Sequence, residues 1–75
     1  MLHHSINVKE FIVKERVGFR LRVRSWKCAS PADLNSIEFI QESLKDTGEV
    51  QDVATYNFFM TDVEINNLCK NLIND

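Results

Sequence analysis

The stretch FRLRVRSWK, Phe19 to Lys27, constrains the fold more than any other part of this chain. Phe19, Leu21, Val23 and Ser25 alternate with Arg20, Arg22, Arg24 and Trp26. Side chains point alternately to opposite sides only on an extended backbone, so the stretch reads as a strand, apolar toward a core and basic toward the outside.

Its neighbours supply a pairing partner. Ile6 to Val13, INVKEFIV, is rich in β-branched and aromatic residues and favours a strand, with a slip in alternation between Val8 and Phe11 that a bulge accommodates. KERVG then reads as a turn, in which Gly18 can take the left-handed position that leads into the second strand. Residues 5 to 27 are therefore expected to form an antiparallel ribbon.

Further along, SPADLNSIEFIQESLKDTG carries the marks of a helix: Ser30 as N-cap, Pro31 at the first helical position, Asp33 near the positive end of the dipole and Gly48 as the stop. Leu34, Ile37, Ile40 and Leu44 recur at helical spacing, and Phe39 lies on the flank of that stripe. VATYNFFMT, Val53 to Thr61, follows as a third strand. Tyr56, Phe58 and Met60 fall on one side of it and Phe59 on the other, with burial of the larger set favoured. Thr61 and Glu64 have capping-box spacing and open a last helix, where Ile65, Leu68, Cys69, Leu72 and Ile73 keep a clean helical period.

These elements predict an α+β domain of two layers in the order β-β-α-β-α. A three-stranded sheet, with the N-terminal antiparallel hairpin, would carry two helices on one face. At 75 residues the chain supports a single domain, 1–75, with 1–4 as a frayed terminus. So small a domain needs most of its large apolar residues for the core, which makes self-association reasonable and a deep substrate pocket hard to build.

The net charge of −2 conceals a division: residues 1 to 27 carry +5 and residues 28 to 75 carry −7. The acidic segment counts against polyanion binding unless it is turned away from the basic row. Cys28 and Cys69 belong to no CxxC or Cys/His spacing, which indicates a reducing, cytoplasmic setting and neither a disulfide framework nor a zinc site. His3 and His4 stand alone as metal ligands. No nucleophile has a base and an orienting group beside it, so no enzyme activity, catalytic residue, metal or cofactor is expected. No run of apolar residues reaches membrane-spanning length, and no membrane partner is expected.

The function this predicts is a small protein–protein interaction or regulatory module, of inhibitor or adaptor type. Arg20, Arg22, Arg24 and Trp26 would form its contact face, with Phe39 and Tyr56 at the border. Its partner would be another protein with an acidic surface, or a second copy of the chain. The alternative is single-stranded nucleic acid on the same face, where arginines would meet phosphates and Trp26 would stack on a base.

Overall fold

A computed structural model describes residues 7–73; the frayed segment expected at 1–4, with its two histidines, lies outside them. Four strands run antiparallel in chain order: β1 (Lys9–Arg16), β2 (Phe19–Lys27), β3 (Leu34–Leu44) and β4 (Val50–Thr61). A single helix, α1 (Asp62–Ile73), closes the described chain.

The expected β-β-α-β-α arrangement, with three strands and two helices on one face, is thereby corrected to four strands and one helix. The segment read as a middle helix is β3, the interior strand hydrogen-bonded to β2 on one side and β4 on the other. Its apolar residues fit two periods at once. Ile37 and Ile40 belong to one helical stripe, yet in the sheet Ile37 shares a face with Phe39, while Ile40 faces the other way with Glu38 and Glu42. Cross-strand pairing decides between the periods, because nine residues of β3, Asn35 to Ser43, gain partners along both edges. Pro31 and Gly48, the presumed helix start and stop, instead belong to the connections on either side of β3. Cys28 N–H donates to the Leu34 carbonyl and Leu34 N–H to the Pro31 carbonyl across the first. Lys45 N–H donates to the Glu49 carbonyl across the second, where Gly48 has φ +91°.

The N-terminal hairpin is present, displaced toward the C-terminus: β1 runs to Arg16 and the turn narrows to Val17 and Gly18. Gly18 adopts φ +80°, the left-handed conformation expected of it. The irregularity in β1 lies between Ile12 and Lys14 rather than between Val8 and Phe11. At the other end, Glu64 N–H donates to Thr61 Oγ1 at 3.2 Å while Thr61 N–H donates to Glu64 Oε1 at 2.8 Å, a reciprocal capping box that starts α1. Asp62 accepts hydrogen bonds from Asn35 Nδ2 and Lys27 Nζ, tying the helix start to β2 and β3.

The fold is one layer of sheet. Its thinnest dimension is 15 Å, and α1 packs chiefly on β4 with none of its residues buried. Among the described residues, Val23, Ile37 and Ile40 are the buried hydrophobic ones. β4 buries neither of its sides: Tyr56 and Phe58 are each 52% exposed on one face, and Phe59 is 63% exposed on the other.

Candidate protein interface

The register sorts the expected contact residues onto opposite faces. Arg20, Arg22, Arg24 and Trp26 share one face of β2, opposite Glu42, Ile40, Glu38 and Ser36 of β3. Phe39 and Tyr56 are direct cross-strand neighbours on the other face, in a row that runs Phe11, Val23, Phe39, Tyr56 across all four strands. The six residues thus do not form one surface.

On the arginine face, carboxylates from both flanking strands interleave with the guanidinium groups. Glu10, Arg24 and Glu38 form one rung across β1, β2 and β3, and Glu15, Arg20 and Glu42 form another. Between them lies a rung of Ile12, Arg22 and Ile40. Arg20 Nε donates to Glu42 Oε1 at 2.7 Å, and Arg22 Nε donates to the same oxygen at 3.1 Å. Arg22 Nη1 also donates to Glu10 Oε2. Arg24 Nε lies 3.1 Å from Glu38 Oε1 and 3.8 Å from Glu10 Oε1, and Arg20 Nη1 lies 3.6 Å from Glu15 Oε2. Three cations thus meet Glu10, Glu15, Glu38 and Glu42, so this network carries a local charge of −1.

Glu42 anchors the network. Its residue is only 4% exposed, and the hydrogen bond from Arg20, helped by the one from Arg22, holds its carboxyl below the usual carboxylate range despite burial. The same hydrogen bond raises the already high pKa of Arg20. Asp62 is likewise held below its ordinary value, by the Asn35 hydrogen bond first and then by Lys27. Trp26 is half-buried opposite Ser36, which in turn lies opposite Phe59. Asn57 Nδ2 donates to Ser36 Oγ at 2.9 Å on the same face.

The opposite face is apolar at its centre and open. The Phe11, Val23, Phe39, Tyr56 row adjoins a second pairing of Ile37 with Phe58, and Phe39 meets Phe58 edge to face at 6.1 Å between ring centroids. Phe11 is 55% exposed, so with Tyr56 and Phe58 three aromatic rings stand half in water on a single face. Alternation along β4 already groups Phe58 with Tyr56, but no single strand brings Phe11 to them, because the row exists only once the register of four strands is known. The carboxylate partners did leave a signal. Arg20 and Arg24 are spaced by four residues, as are Glu38 and Glu42, which is what two antiparallel strands need to form matched ion pairs.

No helix among the described residues is long and apolar enough to cross a membrane. No protein-family model matches the chain, and no curated protein or solved structure is significantly similar to it.

Proposed function

We propose that this protein is a non-enzymatic interaction module of adaptor or inhibitor type, working in the reducing cytoplasm, whose recognition surface is the open apolar face of its sheet. The observation that carries this reading is the trio Phe11, Tyr56 and Phe58, exposed together on one side of a sheet that no second layer among the described residues covers. Aromatic side chains in such a cluster offer much contact area for little loss of conformational freedom, the property that concentrates binding energy at interfaces. Free Cys28 and Cys69 accord with a reducing compartment.

The arginine row has a different part in this reading. With each guanidinium turned to glutamates of β1 and β3, it holds the strands in register and leaves little unmatched positive charge for an acidic partner or for phosphates. Titration of a labelled single-stranded oligonucleotide across a salt series separates the two readings. The interaction module shows no binding at low salt, whereas affinity that falls steeply as salt rises would restore the nucleic-acid alternative.

A further inference from the structure

Resting on that reading, we infer that the occupant of the apolar face is a second copy of this chain, stacked face to face about a twofold axis parallel to the strands. Area, shape and charge each favour this occupant. The chain exposes 6135 Å², about 1,400 Å² more than the roughly 4,700 Å² expected of a compact monomer of 8.7 kDa. Four strands about 4.8 Å apart and roughly nine residues long at about 3.4 Å each project close to 600 Å². Two such faces brought together bury on the order of 1,200 Å², enough for a specific interface. Stacking two sheets about 10 Å apart also gives each the layer that it lacks.

Charge selects the axis. On the apolar face the β1 edge carries Lys9, Lys14 and Arg16, while the β4 edge carries Asp52. A twofold axis across the strands would lay β1 on the second copy's β1 and stack these cations on themselves. An axis along the strands lays β1 over the second copy's β4. It also preserves the rows. Arg16, Phe19, Ser43 and Asp52 form one row of the sheet, so Arg16 then faces the second copy's Asp52. In the Phe11, Val23, Phe39, Tyr56 row, Phe11 faces the second copy's Tyr56. Each contact occurs twice, as an isologous interface requires.

Sedimentation equilibrium of the full chain from about 1 to 200 μM, with circular dichroism to confirm folding, tests this arrangement. The wild type is expected to run at twice the chain mass. Arg16→Asp and Asp52→Arg, both on exposed edge positions, should each weaken the dimer at least tenfold. Mixing the two single variants should restore it, because every Arg16–Asp52 contact joins different chains. A wild-type dimer indifferent to both substitutions and to Tyr56→Lys would overturn the stacking. So would a monomer at 200 μM. If that monomer captures a host protein that Tyr56→Lys does not, the second-copy inference fails while the interaction reading stands; if it captures none, both fail.

Discussion

Replacing Arg22 by glutamate should unfold much of this protein, although Arg22 sits on the wet face of a strand. Its Nε donates at 3.1 Å to Glu42, which is almost wholly buried, and its Nη1 donates to Glu10. Each charge-assisted hydrogen bond contributes roughly 1.5–3 kcal/mol, with the Glu10 bond at the low end because that carboxylate is substantially exposed. The new carboxylate would also lie beside Glu42. At about 5 Å and an effective dielectric constant of about 20, like charges repel by roughly 3 kcal/mol, less whatever side-chain movement relieves. The network charge falls from −1 to −3. A net loss of about 3–5 kcal/mol corresponds to a fall in Tm of roughly 15–30 °C for a domain of this size. Thermal unfolding followed by circular dichroism at fixed protein concentration measures it. Arg22→Met, which removes the charge and keeps the stem over the sheet, should lose no more than about half as much. An Arg22→Glu protein that melts within a few degrees of the wild type would refute the structural role of the network.

Two further outcomes follow from the same geometry. Because the folded-state pKa values of Glu42 and Asp62 are depressed, their contribution to stability is fully present above the ordinary carboxylate range and is lost as pH falls through their folded values. Urea unfolding at a series of pH values should therefore show stability declining below about pH 4.5, with a shallower decline in Glu42→Gln, which is less stable near neutral pH and converges with the wild type at low pH. Thr61→Ala removes the hydroxyl that accepts the Glu64 N–H and should destabilise α1 by about 1 kcal/mol, read as faster amide exchange in the first turn of the helix than in β3.

Local signals were legible in the sequence where local chemistry decides the structure. Gly18 in its turn, the Thr61–Glu64 box and the period of the last helix depend on residues within a few positions of one another. β3 was not legible in this way. Its helical spacing from Leu34 to Leu44 is real, and the competing signal, Glu38 and Glu42 matched to Arg24 and Arg20, is distributed over two segments. Long-range pairing overrode local propensity there. The candidate site suffered from the same gap. Alternation along β2 correctly put its arginines together, but it could not reveal the glutamates between them or bring Phe11 alongside Tyr56. Nor could it show that both sides of β4 stay open, since that depends on where α1 goes.

The irregularity between Ile12 and Lys14 works as a phase switch. Before it, even-numbered residues such as Glu10 and Ile12 join the arginine face; after it, odd-numbered Glu15 does. Without the switch, Glu15 would stand among the aromatic side chains, and Lys14 and Arg16 would join the other cations. One supernumerary residue thus sorts the charges of the whole edge. It also makes β1 a place where the chain can lose a residue and keep its sorting, for excision of Val13 leaves a regular alternation with every pairing intact; β4 offers a second at Gln51, since Ser43 pairs with Asp52 and Leu44 with Val50. The same excision in β2 would turn part of the arginine row onto the apolar face. The margin for changes in length is therefore concentrated at these two irregularities.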